Sequence, residues 1–382
     1  MQMNPRLRFD CTGEYKQCLL EDVAEYSKKR CKRTHFLFIG NDCMQSNFGA
    51  TRLNKVNIAE GIEFDKGAIL LGNIRPYLRK VWMATESGVA SPDVLVFRSK
   101  VLDPQYLKYL ISSDLFFDHV AKGYKGSKMP RGDKSQIMRF AFSYPPIEEQ
   151  RRVATFFSTL DKKIELNERK LEAVEQLKKG LMRKIFKQEI RVVPNSGKDW
   201  QSITLGDYFS VKMCKRIFKE QTSPVGDIPF FKIGTFGKIP DAYISKKLFD
   251  QYRSKFSYPS KGDTLISCSG TVGRCVMFDG RPSYFQDSNI VWLEVKDNEF
   301  LYDKKFLNII LSNLSWKDLS STTIKRIYSK DLLSKQIPMP CIDEQKRISK
   351  IFILFDRKLT LLEEKIELLK NLKMWFLKNM FC

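Results

Sequence analysis

The sequence predicts an α+β protein written twice: two duplicated mixed α/β domains separated by two long helices that pair as an antiparallel coiled coil. Three observations predict it. A block of some forty residues returns 195 positions later, and both copies carry apolar residues at alternating spacings of four and three. The stretches between the blocks hold short β-like runs punctuated by Gly and Pro.

The first domain covers residues 1–144. Its strand-like runs are residues 36–39, 68–71 and 94–97, followed by a helix near residues 104–117. The second domain, residues 193–339, repeats the plan with runs at 264–266 and 289–293 and a helix near residues 304–314. The repeat is fainter here but in register. Lys66-Gly67-Ala68-Ile69-Leu70-Leu71 lies over Lys261-Gly262-Asp263-Thr264-Leu265-Ile266, Leu95-Val96-Phe97 over Ile290-Val291-Trp292, and Arg131 over Arg326. Leu20-Glu21-Asp22 matches Leu205-Gly206-Asp207 at an offset of only 185, so the second copy holds about ten extra residues between these points.

The helical blocks cover residues 145–192 and 340–382. Pro145-Pro146-Ile147-Glu148-Glu149-Gln150-Arg151-Arg152-Val153 leads into the first, and Pro340-Cys341-Ile342-Asp343-Glu344-Gln345-Lys346-Arg347-Ile348 into the second. A proline turn followed by an acidic first turn suits the positive end of a helix dipole. The seam of the first helix runs through Val153, Phe157, Leu160, Ile164, Asn167, Leu171, Val174, Lys178, Leu181 and Ile185. That of the second runs through Ile348, Phe352, Phe355, Leu359, Leu362, Ile366, Leu369, Lys373, Phe376 and Met380. The two seam lysines are each preceded by a leucine, Leu177 or Leu372, that can shift the stripe by one residue. A helix with one apolar stripe needs a partner. Its own repeat is the nearest, and packing back on its own domain is the alternative.

The chain has 382 residues with 66 Lys and Arg against 44 Asp and Glu, a formal charge of +22. That excess favours a polyanionic partner, nucleic acid first and an anionic membrane surface second. No apolar run approaches a membrane span, and no apolar signal core follows Met1-Gln2-Met3-Asn4-Pro5-Arg6, so a cytoplasmic protein is expected. Nine cysteines without a CxxC pair and two histidines, His35 and His119, offer no zinc spacing. The thiols are expected free and reduced, and no cofactor or metal is called for.

Basic and small polar residues cluster in the inferred loops. In the first domain the candidates for nucleic-acid contact are Lys28, Lys29, Arg30, Arg75, Tyr77, Arg79, Lys125, Ser127, Lys128 and Arg131. In the second they are Lys215, Arg216, Ser269, Thr271, Arg274, Thr322, Thr323, Lys325 and Arg326. Cations interleaved with Tyr, Ser and Gly suit a phosphate backbone approached closely, with some side chains reaching base edges. Motifs for covalent chemistry are weak. Ser143-Tyr144-Pro145-Pro146 has the wrong flanks for a methyltransferase amine-holding loop, residues 126–135 (GSKMPRGDKS) have the wrong spacing for a phosphate loop, and Gly270-Thr271-Val272-Gly273 is a lone glycine pair. No catalytic residue is assigned.

Two variable domains alternating with two near-identical helices, each entered through Pro-x-Ile-x-Glu-Gln-x-Arg and followed by Phe and Asp-x-Lys, resemble the specificity subunit of type I restriction-modification systems. The resemblance covers essentially the whole chain; Cys341 replaces a proline of the motif, and Asn167 and Lys178 soften the first seam. It implies two target-recognition domains, each reading one half of a bipartite, asymmetric site on double-stranded DNA. It implies helices that fix the gap between half-sites and dock two methyltransferase subunits, and restriction subunits that join the complex with the motor and nuclease. Two other readings stay open: a stand-alone DNA methylase or nuclease, which a methylation assay with S-adenosylmethionine detects, and a coiled-coil scaffold, which duplex titration separates.

Overall fold

The computed structural model describes residues 5–9, 13–46, 51–193, 199–297, 299–316 and 326–381. They form two compact units, one of residues 1–173 with 360–382 and one of residues 174–359.

In the first unit, continuous apolar runs place two strands at the centre of a four-stranded antiparallel sheet, in the order Ala24–Tyr26, Val94–Ser99, Ile69–Gly72, Val81–Met83. Alternation of side chains divides these runs between two cores. Ile69, Leu71, Leu95 and Phe97 face a cluster with Tyr106, Leu107, Leu110 and Phe116, whereas Leu70, Val94 and Val96 face one with Leu37, Ile39, Phe64 and Ala90. The single helix expected near residues 104–117 is two, Pro104–Ile111 and Asp114–Ala121. Ser113 breaks it: its hydroxyl accepts from Phe116 N at 3.3 Å and starts a new helix, as Asp103 does for the first. The run at residues 36–39 is the buried tail of a longer strand, Arg30–Ile39, whose polar start is exposed; it pairs with Asn54–Phe64 and Gly88–Ala90 in a small closed barrel.

The second unit repeats the sheet strand for strand: Phe209–Met213, Ile290–Val295, Thr264–Ser267, Cys275–Met277. Its covering helix is Lys304–Asn313, capped by Asp303, which accepts from Phe306 N at 2.8 Å. A two-stranded pair closes each copy, Lys16–Leu19 with Ala141–Tyr144 and Gln201–Thr204 with Gln336–Met339. The copies part between the first and second sheet strands in chain order, where the ten extra residues fall. There the first copy builds its long ribbon. The second builds strands Ile228–Phe231 and Tyr243–Ile244 and helix Lys246–Lys255.

The long helices are Ile147–Phe186 and Ile342–Met380, of 40 and 39 residues, each about 60 Å long at 1.5 Å per residue. Within the first unit they meet antiparallel. The Phe156 and Phe376 rings lie 4.7 Å apart, Glu168 pairs with Lys370 at 2.7 Å, and Asp161 with Lys373 at 2.6 Å. Within the second unit Lys178 reaches Asp356, and Ile185 shares a core with Ile348 and Phe352. Each helix also packs on its own domain, Phe157 against Tyr109 at 5.0 Å for the first and Phe352 in one cluster with Phe306 for the second.

Of the expected seam, Phe157, Leu160, Ile164, Phe352 and Ile366 are buried, and Leu171, Phe355 and Leu359 half-buried. The stripe does not shift to the neighbouring leucines: Leu177 and Leu372 stay 61% and 41% exposed. It runs through Lys178 and Lys373 instead, because each lysine finds a carboxylate, Asp356 or Asp161, on the other helix.

Candidate nucleic-acid interface

The repeated lead-in to each long helix ties that helix to the loops beside it. Glu149 is buried and receives Arg8 at 2.9 and 3.3 Å, with the Tyr15 hydroxyl at 3.4 Å. Glu344 is buried in the same way and receives Arg191 at 2.9 and 3.1 Å, Trp200 Nε1 at 3.1 Å and Val192 N at 3.2 Å. Burial alone raises the Glu344 carboxyl, but Arg191 and the indole and backbone donors outweigh it, so it sits below its ordinary value. The next residue bridges two elements. Gln150 donates to Pro145 O at 2.8 Å and accepts from Asp103 N at 2.9 Å, and Gln345 donates to Pro340 O and accepts from Asp303 N, both at 2.8 Å. The sequence showed the Glu-Gln motif twice; its partners Arg8 and Arg191 lie outside the repeat register and gave no signal.

In the first unit two loops are knitted into one exposed surface. Asn73 exchanges two hydrogen bonds with the backbone of Gly132, at 3.1 and 3.2 Å, Ile74 bridges Arg131, and Arg75 N donates to Pro130 O at 2.8 Å. Asn73, buried and absent from the expected set, is the pin. Left-handed backbone at Arg75 and Arg79, φ 50° and 53°, brackets the turn Pro76–Leu78 and leaves Tyr77 52% exposed. Lys125, Ser127, Lys128 and Arg131 belong to the opposing hairpin and are exposed. Arg131 pairs with Asp93 at 2.9 Å while its side chain stays 56% exposed. Lys125 meets Asp133, whose carboxyl that contact and Ser135 hold well below the usual range. Arg79 turns inward to Asp114 and over the Phe117 ring, so it positions the turn.

Lys28, Lys29 and Arg30 belong to another element, exposed at the start of the barrel strand. Lys29 pairs with Glu63 at 2.6 Å, and together with Arg33 it lowers the Glu63 carboxyl.

The second unit carries the counterpart. Cys268 N donates to Asn289 O at 2.7 Å, Ile327 N to Cys268 O at 2.9 Å, and Ser269 Oγ to Asn289 Oδ1 at 2.7 Å. Arg326 donates to Ser288 O at 3.2 Å and lies 5.9 Å from the Tyr328 ring centre. Positions 326 and 288 are the repeat equivalents of 131 and 93, so both copies hold the same arginine against the same loop. A cleft of about 90 Å³ lies there, lined by Met213, Cys268, Ser288, Arg326 and Tyr328 among others. Thr271 is exposed, and Arg274 is half-buried with its guanidinium on Gly237 O at 3.2 Å. Lys215 and Arg216 are exposed over Phe256 and Phe218. Thr322, Thr323 and Lys325 lie outside the described residues.

Burial pushes the Cys214 and Cys275 thiols up to about 12 and Cys268 to about 11, which keeps them protonated. Among the described residues no cluster of three metal-ligating side chains occurs, and no helix is long and apolar enough to cross a membrane.

A family model described as the type I restriction modification DNA specificity domain matches residues 13–176 and again residues 197–371. The chain belongs to the type I restriction-modification specificity-subunit family. A Haemophilus influenzae protein named as a putative type I restriction enzyme specificity subunit is 53% identical over 154 residues, 40% of this chain and 40% of that protein. The MjaVIII specificity subunit of Methanocaldococcus jannaschii is 25% identical over 283 residues, 66% of this chain and 63% of that one. The matches thus span 40% and 63% of these curated relatives. The crystal structure of a type I restriction-modification S subunit from M. genitalium shares the fold of this chain, with a TM-score of 0.62 at 15% identity over 100% of this chain and 99% of the other.

Proposed function

We propose that this chain binds double-stranded DNA sequence-specifically as the specificity subunit of a type I restriction-modification complex. Each recognition domain, residues 1–144 and 193–339, reads one half of a bipartite asymmetric site. The two long helices pair as an antiparallel coiled coil, set the gap and dock two methyltransferase subunits. Methyl transfer and cleavage belong to the methyltransferase and restriction subunits, and this chain supplies no catalytic group.

One observation carries the reading. The knitted, arginine-bearing loop pair, Arg131 beside Asp93 and Arg326 beside Ser288, occurs once in each family-matched half. A guanidinium fixed through one nitrogen by a neighbouring loop, on a side chain that stays exposed at Arg131 and half-exposed at Arg326, is pre-organised to offer its remaining donors to base edges or phosphates. The divergent inserts give the two halves different surfaces, so the half-sites differ in sequence.

Arg75, Tyr77, Ser127, Lys128 and Arg131 are the proposed first-half contacts, with Lys28, Lys29, Arg30 and Lys125 as neighbouring cations. Ser269, Thr271, Arg326, Lys215 and Arg216 are those of the second half, joined on sequence grounds by Thr322, Thr323 and Lys325. Arg79 and Arg274 position their loops. The test is co-expression with the neighbouring methyltransferase, mapping of modified adenines, then duplex titration on the mapped site. Arg131→Ala and Arg326→Ala each weaken binding to that site more than Lys179→Ala on the exposed helix face does. Binding falls about 10³–10⁵-fold between 50 and 200 mM salt for six to ten phosphate contacts. Unchanged affinity and site preference in both arginine variants overturns the assignment of these loops.

A further inference from the structure

We infer that the second unit carries a separate groove for the DNA phosphate backbone, outside the loop pair that holds Arg326, and that it adds affinity without sequence choice. The groove, about 790 Å³, lies between residues 256–262 and the turn at 278–282. Among the described residues, Arg253, Lys261 and Arg281 line it with Phe256, Tyr258 and a single carboxylate, Asp279. Three cations against one anion leave it net positive, and Arg281 is 88% exposed even while paired with Asp279 at 3.3 Å. Its walls are firm. Tyr258 donates to Ser283 O at 2.8 Å, and Arg253 is stacked 5.3 Å from the Tyr258 ring centre. Gly280, φ 89°, turns the chain against the Lys261 side chain, where an added Cβ meets it at 3.2 Å.

The chemistry selects the ligand. A wide, open, cationic groove with fixed aromatic walls suits a continuous polyanion better than an enclosed small molecule. Phe256 also carries Lys215 at 5.3 Å, which connects the groove to a cation already assigned to the second half-site. Arg253 and Phe256 come from helix Lys246–Lys255 and its end, which sit in the insert where the first copy has its ribbon. The extra contact therefore belongs to the flank of the second half-site alone. Phosphate contacts hold and orient the duplex without reading bases.

This inference rests on the DNA-binding reading, and the test separates the two. The full chain, co-expressed with its methyltransferase, is titrated on the mapped site and on mixed-sequence duplexes as wild type and as the triple variant Arg253→Gln, Lys261→Gln, Arg281→Gln. At about 0.9 per lost phosphate contact, the variant's salt slope is shallower by about 2.7, so the wild-type advantage is about 40-fold larger at 50 mM than at 200 mM salt. The loss is equal on both duplexes and the methylated site is unchanged. The charge-preserving double variant Arg253→Lys, Arg281→Lys, with Lys261 left in place, keeps the wild-type slope. Wild-type binding with an unchanged slope in the triple variant overturns the groove and leaves the function standing. Altered site preference makes the groove a base reader and also overturns it. Failure of the wild type to bind either duplex overturns both.

Discussion

At the scale of single residues, the most informative feature is the buried glutamate that opens each long helix. Glu344 has no exposed side-chain surface and four donors, and Arg191 is three-quarters covered. Glu344→Gln keeps the shape and removes the charge that Arg191 faces, so unfolding by denaturant is expected to show a loss of about 2–4 kcal/mol. The same pair sets a pH response. The folded carboxyl lies below its ordinary value, so the stabilisation is complete above the unfolded carboxylate range, about pH 4.3, and is lost as pH falls through the folded value. Thermal melting of wild type and Glu344→Gln should therefore differ most near neutrality and converge in acid. A constant difference down to acid pH removes the ion pair as the cause. The motif itself was legible in the sequence because it recurs. Its purpose was not, since an acidic first turn on a helix is already explained by the dipole, and nothing in one chain marks Arg8 and Arg191 as equivalent.

At the scale of elements, one sequence pattern yields two different energies. Asp161 and Asp356 are repeat equivalents, and so are Lys373 and Lys178, yet the pairs Asp161–Lys373 and Asp356–Lys178 sit in different surroundings. Lys373 is 10% exposed, and Asp161 also accepts from Tyr109 Oη at 2.8 Å and Lys108 Nζ at 3.1 Å. Asp356 is 59% exposed. Asp161→Ala strands two cations in a covered site and is expected to cost about 3–5 kcal/mol, whereas Asp356→Ala costs about 1 kcal/mol or less. Equal losses in equilibrium unfolding would mean that surroundings do not decide the matter. The heptad spacing placed Phe157, Ile164, Phe352 and Ile366 correctly, because burial follows apolar periodicity. It also placed Lys178 and Lys373 on the seam, but left open a shift of the stripe by one residue. A lysine in an apolar stripe reads as a defect to be avoided through Leu177 or Leu372, until the antiparallel partner shows an aspartate opposite. The break at Ser113 was missed for a related reason: apolar periodicity continues across it, and only the capping hydroxyl marks the new start.

At the scale of the whole chain, the duplication was the most legible property, and the inserts between the first and second sheet strands the least. The repeat keeps what both copies need, the sheet core and the helix lead-in, and the inserts are free to diverge because each forms its own small core. If the long helices set the gap between half-sites, their length is a ruler. Deleting residues 166–172 and 361–367 together removes one heptad from each helix and keeps both seams in phase. Each helix shortens by about 10.5 Å, which corresponds to about 3 base pairs at 3.4 Å each. Three base pairs also turn the duplex by roughly a third of a helical repeat of 10–10.5 base pairs, so affinity should fall even where the bases match. Affinity alone is therefore a poor readout, and the map of methylated adenines in cells carrying the deleted chain is the better one. The expected outcome is methylation at the same two half-sites with a gap about 3 base pairs shorter. Methylation that persists at the original gap, in a chain that still folds and joins its methyltransferase, would place the ruler somewhere other than these helices.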